Sequence, residues 1–203
     1  MSGDDRPALG VPRETERRLA LYVEELRRWQ RIKNLVGPGT LDQVWTRHIA
    51  DSLQLLDLAP GRGRWLDLGS GAGLPGLVLA IAGGGAHVDL VESNARKCAF
   101  LRHAARLAQA PVAVHEARIE AVIGGFAGRV DVVTARALAP LAQLVAWTAP
   151  LLQTGITGLF PKGREWEAEL TEARESWTFE VDPIPSRTDP AARVLRLSAV
   201  SPR

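Results

Sequence analysis

Three glycines alternate directly after an acid in Asp67-Leu68-Gly69-Ser70-Gly71-Ala72-Gly73, and Leu74-Pro75-Gly76 follows. Trp65 to Leu68 is otherwise apolar, and an apolar helical pattern begins after Pro75, so the stretch reads as strand, tight turn and helix N-terminus. Glycine serves where backbone takes φ > 0 or lies against a ligand. A second apolar run, His87 to Glu92, also ends in an acid. An acid at that strand tip can accept both hydroxyls of a ribose. The bland alternative for Glu92, less favoured, is a first-turn acid for the helix beginning at Asn94. Bare backbone at one strand tip and a carboxylate at the next suit a ligand that contains a nucleoside.

Two ligand classes compete for the turn. Gly71 to Gly76 fits G-x-G-x-x-G, the dinucleotide fingerprint, a weak signal by itself. In dinucleotide sites the turn usually follows the strand at once, so that a helix N-terminus meets a pyrophosphate. Here Leu68 to Ser70 intervene. Asp67-x-Gly69-x-Gly71-x-Gly73 instead fits the acid-x-G-x-G-x-G pattern of S-adenosylmethionine (SAM) methyltransferases. SAM carries a sulfonium cation and an amino-acid head and no phosphate, and a carboxylate at the turn suits that charge. SAM is the favoured reading; a glycine turn without a ligand is the bland one.

In a methyltransferase of this kind the tip of the fourth strand faces the acceptor atom. That tip reads Thr134-Ala135-Arg136-Ala137, without the Asn/Asp-Pro-Pro-aromatic turn common where exocyclic amines are methylated. Pyrimidine C5 methylation needs a cysteine nucleophile, and the one cysteine, Cys98, falls in mid-helix. No acids cluster at the tip to hold a metal. A ring nitrogen such as guanine N7 has no proton to lose, so catalysis there is mostly positioning. Arg136 could orient guanine through O6, hold a phosphate, or pair with an acid at the sheet end. His48 and Asp51 lie three residues apart on a helical stripe and can touch. Taken alone, such a histidine is more often structural than catalytic.

Periodicity supplies the elements that hold these residues. Glu14 to Lys33 is an amphipathic helix with Leu19, Tyr22, Val23, Leu26, Trp29 and Ile32 inward; its arginines form either a solvated face or a phosphate-facing rim. Thr40 and Gln43 form a capping-box pattern for a second helix reaching Leu56. After a Pro/Gly linker at Ala59 to Arg64, strands are expected at 64–67, 87–92, 112–115, 130–134 and 158–160. Helices are expected at 75–82, 94–108, 140–152 and 164–176. Two last strands, 178–184 and 193–200, flank a polar loop from Pro185 to Ala192. This order predicts an α/β fold of the class I, Rossmann-like, SAM-dependent methyltransferase type: a mostly parallel seven-stranded sheet with an antiparallel edge hairpin. The expected division is a flexible tail (1–13), an N-terminal helical extension (14–60) and a methyltransferase domain (61–203).

The 203 residues suffice for one such domain, and a net charge of +2 with a pI near 9.1 permits nucleic acid without demanding it. A single cysteine excludes an internal disulfide and a cysteine-based zinc cluster. No metal site is expected. The N-terminus lacks the apolar core of a signal peptide, which suits a cytoplasmic protein. Ala137 to Pro161 is uncharged, but Pro140, Pro150, Gly155 and Gly158 break it, so no membrane span is read there.

With these residues placed, the chain resembles the RsmG (GidB) family of 16S ribosomal RNA guanine-N7 methyltransferases. The likeness runs from about Trp29 to Glu165 and more weakly to the C-terminus. It rests on Trp29-x-x-x-x-Asn34-Leu35, Arg47-His48-Ile49-Ala50-Asp51-Ser52, the loop Asp67 to Gly76, Lys97-x-x-Phe100-Leu101-Arg102, Arg118-Ile119-Glu120, Ala135-Arg136-Ala137 and Lys162-Gly163. The R-H-I-x-D-S piece and the G-x-G-x-G-[LF]-P-G loop are together highly specific.

The resemblance implies that Asn34, Arg47, His48 and Asp51 stand near the pocket, with Arg136, His48, Asp51 and Asn34 as the catalytic set. It implies SAM contacts at Asp67, Gly69, Gly71, Gly73, Leu74, Ile119, Glu120 and Arg136, with Glu92 on the ribose and S-adenosylhomocysteine as product. The implied substrate is guanine 527 in the 530 loop of 16S rRNA, presented in the 30S subunit or an assembly intermediate to a monomeric enzyme. Loss of the modification is linked in that family with low-level streptomycin resistance. Arg47, Lys33, Arg96, Lys97, Arg102, Lys162 and Arg164 are the expected phosphate contacts. The chain departs from the family pattern at Ala135, where serine is usual, at Phe160-Pro161, where Ala-Leu is common, and after Val36, where it is shorter. Pro161 lacks a backbone donor and could displace Lys162. The rivals are a small-molecule methyltransferase on the same fold and a non-catalytic SAM-binding assembly factor.

Overall fold

The structure is a computed structural model that describes residues 8–33 and 41–203. Helix α1 spans Arg13–Lys33 and helix α2 Ala50–Leu58. The alternating part follows as β1 (Arg64–Leu68), α3 (Gly76–Ala82), β2 (His87–Glu92), α4 (Ala95–Leu107), β3 (Val112–Glu116), the short α5 (Ile119–Val122), β4 (Val132–Ala135), α6 (Leu141–Leu152), β5 (Thr157–Lys162) and α7 (Trp166–Ser176). Strands β6 (Trp177–Pro185) and β7 (Arg193–Pro202) close the chain.

The seven strands form one sheet in the order β3-β2-β1-β4-β5-β7-β6. The first five pair in parallel; β7 pairs antiparallel with both β5 and β6. This is the expected mostly parallel sheet with an antiparallel edge hairpin. Successive side chains of a strand face opposite sides. Accordingly Trp65 joins an apolar cluster with α1 to α4, while Leu66 and Leu68 join one with α6 and α7. Covered on both faces, β1 and β4 are buried from Trp65 and Val132 onward, with Asp67 and Thr134 the polar residues among apolar ones.

The N-terminal extension is not a separate layer. Leu19, Tyr22, Val23 and Leu26 are buried in the same cluster as Leu77, Phe100 and Ala104. The guanidinium of Arg18 caps the end of α4, donating from Nε to the Ala108 carbonyl and from Nη2 to that of Gln109, both at 2.7 Å.

Two boundaries differ instructively. β4 begins later than expected because the carboxylate of Asp131 turns to the Arg64 amide at 3.0 Å and the Arg64 guanidinium at 2.9 Å. β5 runs on through Pro161 and Lys162 because they pair with Val194 and Arg193 of β7.

The second helix departs most from expectation. Thr40, the expected cap, lies outside the described residues. Leu41–Gln43 is a 3-10 turn, Val44–Ile49 is a π-helix and only Ala50 onward is α-helical. The Ala50 amide donates to the Trp45 carbonyl, five residues back. Such widened turns occur mostly as single interruptions and often at functional sites.

Candidate active site

Ligands of a doubly wound sheet bind beyond the carboxyl ends of its strands, where the strand order reverses. Here that point lies between β1 and β4. Leu68 pairs in register with Ala135, so Gly69 and Arg136 leave the sheet side by side.

Gly69, Gly71 and Gly73 take φ of 63°, 55° and 90°. Gly69 is needed twice over, because a Cβ there would strike the side chain of Leu138 as well as sit in a left-handed conformation. Two side chains from outside the β1–α3 segment hold the turn. The Tyr22 hydroxyl donates to the Ala72 carbonyl at 2.8 Å. The Gly71 amide donates to Glu92 Oε2 at 3.0 Å, while Glu92 Oε1 accepts from the Asn94 amide at 2.8 Å. A carboxylate has about four lone-pair sites, so Glu92 keeps acceptor capacity toward a ligand.

Asp67 lies beneath the turn. It is fully buried, and Oδ2 accepts from the Gly76 amide at 3.2 Å. Oδ1 has no hydrogen-bond partner among the described residues. Burial pushes its carboxyl up to about 7.

A cavity of about 240 Å³ opens beside the turn, lined by Gly69, Glu92, Lys97, Ile119, Glu120 and Leu138, with Trp147 closing one side. A nucleoside cofactor fits this lining: glycine on one wall, a strand-tip acid, and the apolar Ile119 and Trp147 for a flat ring. Of the expected cofactor residues, Gly69, Glu92, Ile119 and Glu120 meet here. Asp67, Gly71, Gly73 and Leu74 do not line it; Gly71 holds Glu92, and Leu74 packs toward the α1 cluster.

A second cavity, of about 540 Å³, lies on the other side of Ala137 and Leu138, which line both. Arg136 borders this one, not the first. Its Nη2 donates to His48 Nδ1, and its Nη1 stands 3.6 Å from Asp51 Oδ2. His48 and Asp51 are thus brought together through Arg136 and not by direct contact. Since arginine only donates, Nδ1 must accept, which leaves the imidazole proton on Nε2. Burial, then the charges of Arg136 and Arg47, pull the imidazole down to about 4. Burial also draws the Arg136 guanidinium below its ordinary value, and Asp51 opposes the shift. Arg136 Nη1 and His48 Nε2 have no hydrogen-bond partner among the described residues.

The far wall was not foreseen. The loop after β6 folds back on α2, where Ser186 and Thr188 hydroxyls meet Asp51 Oδ1 at 3.2 and 3.3 Å. Gln54 donates to the Pro185 carbonyl at 2.7 Å and accepts from the Arg187 amide at 3.0 Å. In the sequence Gln54 is one polar residue in an apolar helix, and Tyr22 one more member of an apolar stripe.

The expected phosphate contacts divide. Arg47, Arg96 and Arg164 are exposed, and Arg47 lines the second cavity. Arg102 is exposed but pairs with Glu116 at 3.1 Å, and Lys97 faces the first cavity. Lys162 corrects the expectation: its ammonium donates to the Ala139 carbonyl at 2.7 Å and to Glu169 at 2.6 Å, with only 8% of the side chain exposed. Glu169 also accepts from the Leu141 amide at 2.7 Å. Lys162 is therefore a clamp on the segment after Arg136, and Pro161 does not displace it. Cys98 is buried against the Glu92 carbonyl and lines neither cavity. Asn34 and the side chain of Lys33 lie outside the described residues. Among the described residues no cluster of three metal-ligating side chains occurs, and no helix is long and apolar enough to cross a membrane.

The family model described as GidB, rRNA small subunit methyltransferase G, matches residues 15–189. The chain is 65% identical over 209 residues to the ribosomal RNA small subunit methyltransferase G of Methylobacterium nodulans, covering 99% of this chain and 98% of that one. It is 50% identical over 196 residues to the protein of the same name from Bradyrhizobium sp. (strain ORS 278), covering 95% and 88%. Among solved structures, a mutant of MtNAS in complex with S-adenosylmethionine matches with a TM-score of 0.61 at 18% identity, over 92% of this chain and 75% of that one. The O-methyltransferase from Bacillus cereus in complex with SAH matches at 0.60 and 13%, over 88% and 90%. At these identities the likeness is one of fold, that of the SAM-dependent methyltransferases.

Proposed function

The chain belongs to the GidB family of rRNA small subunit methyltransferases G, and from that premise we propose that it transfers the methyl of SAM to N7 of one guanine in the 530 loop of 16S rRNA. SAM, when bound, supplies an electrophilic methyl on sulfur. The chain's own residues place and shield. Gly69 lets the donor approach the backbone, Glu92 accepts ribose hydroxyls, and Ile119 and Trp147 flank the ring.

One observation carries the choice of acceptor: next to Arg136 the second cavity offers nitrogen donors, and the two acceptors there, His48 and Asp51, are already engaged. His48 Nδ1 accepts from Arg136, and its proton is on Nε2. Asp51 is engaged by Ser186, Thr188 and Arg136. A hydroxyl or amine acceptor needs a group to take its proton. Guanine N7 needs none, and its neighbour O6 accepts hydrogen bonds. Arg136, whose Nη1 makes only a 3.6 Å ion pair with Asp51, and His48 Nε2, without a hydrogen-bond partner among the described residues, match that oxygen. That Ala137 and Leu138 line both cavities supports a meeting of donor and acceptor there.

The test is nucleoside analysis of 16S rRNA after incubation of 30S subunits with the protein and labelled SAM. Label in 7-methylguanosine supports the reading. Label in another nucleoside overturns the N7 assignment. Label only in small molecules favours a small-molecule enzyme, and SAM binding without turnover on any RNA favours an assembly factor.

A further inference from the structure

A third opening, of about 670 Å³, lies outside the second cavity. Its lining includes Gln43, Thr46 and Arg47 from the 3-10 and π-helical turns and Arg187, Thr188 and Asp189 from the loop after β6. Arg47, Thr188 and Asp189 also line the second cavity, so the two are continuous. We propose that this groove holds the phosphodiester backbone of single-stranded RNA flanking the methylated base, with Arg187 as a phosphate contact. The proposal rests on the functional reading above.

Chemistry and geometry lead there together. The base to be methylated must leave its stack to enter the second cavity, so its neighbours follow as an unpaired strand. A strand leaving that cavity meets this groove directly. The lining offers two guanidiniums, those of Arg47 and Arg187, the donors that phosphate contacts employ, beside the carboxylate of Asp189. Finally, the wall is fixed in advance. Gln54 grips the backbone on both sides of Ser186, and Ser186 and Thr188 hold Asp51. Arg187 itself pairs with Asp57 at 2.6 Å, with both side chains 59% exposed. An ion pair that open to water contributes little, so a phosphate can replace the carboxylate.

The experiment is steady-state methylation of 30S subunits by the full chain, wild type against Arg187→Gln and Asp57→Asn, at several salt concentrations. The expected result for Arg187→Gln is a KM for 30S about ten-fold higher and a salt slope of affinity reduced by about one. Its kcat and its affinity for SAM should match wild type. Asp57→Asn frees Arg187 and should leave KM unchanged or lower. If both variants raise KM alike, the pair is a structural clamp and the proposal falls. If Arg187→Gln leaves KM and salt slope unchanged, it falls as well. A wild-type protein that places no methyl in 16S rRNA overturns the functional reading, an outcome separate from either of these.

Discussion

The Gly71 amide and the Glu92 carboxylate meet at 3.0 Å, joining the glycine turn after β1 to the tip of β2. One acid therefore shapes the turn and borders the cavity beside it. Glu92→Ala should weaken S-adenosylhomocysteine binding by about 10–100-fold, since a hydrogen bond to a charged group is worth about 1.5–3 kcal/mol. Isothermal titration calorimetry reads this directly. An unchanged Kd would remove Glu92 from the ribose.

His48 should titrate far below an ordinary histidine, with a midpoint near 4 in NMR spectra of the folded chain. The sign follows from the depressed value. Stability associated with the neutral ring is present above the unfolded value of 6.5 and is lost as pH falls through about 4. The rate of methylation should show no histidine limb between pH 6 and pH 8. A midpoint of 6 or higher would restore His48 as a candidate base.

Asp67 works in the opposite direction. Its folded-state value of about 7 lies above the ordinary 3.8, so the protonated carboxyl favours the fold at low pH, and that advantage is lost as pH rises through 7. Asp67→Asn keeps an oxygen for the Gly76 amide and cannot ionise. Relative to this variant, the wild-type chain should lose roughly 2–3 kcal/mol of stability between pH 5 and pH 7. Parallel denaturation curves over that range would show that Asp67 is already solvated.

Lys162 offers a choice between clamp and phosphate contact. With the ammonium covered and Glu169 23% exposed, Lys162→Met should cost about 2–3 kcal/mol. The melting temperature should drop by about 4–12 °C. The salt slope of RNA affinity should stay as in the wild type. A lowered slope with unchanged melting would return Lys162 to the RNA-facing set.

The strands and most helices could be read from sequence because both-face burial leaves long apolar runs and glycine marks the turns between them. The cofactor side was legible for the same reason: Gly69 and Glu92 sit at strand tips, and a strand tip is a position that periodicity locates. The acceptor side was less so. Arg136 was placed by the end of β4, but its grip on His48 depends on the π-helical turn, and one wide turn leaves no mark in an apolar stripe. Gln54, Ser186 and Thr188 act across more than 130 residues of chain. A contact between two polar residues that far apart has no signature in spacing. Lys162 stood among the expected phosphate contacts because an exposed cation and a covered one look alike until Glu169 and the Ala139 carbonyl are brought up against it.

The alignment of β4 on β1 has a consequence for how this chain tolerates insertions. Strand faces alternate with every residue, so a slip by one position would turn Arg136 away from His48 and expose a different residue in its place. One residue added within Val132 to Ala135 should abolish turnover while leaving a sheet that still assembles. The same addition in the exposed turn Ala127 to Arg129 should be absorbed, because there it shifts no pleat.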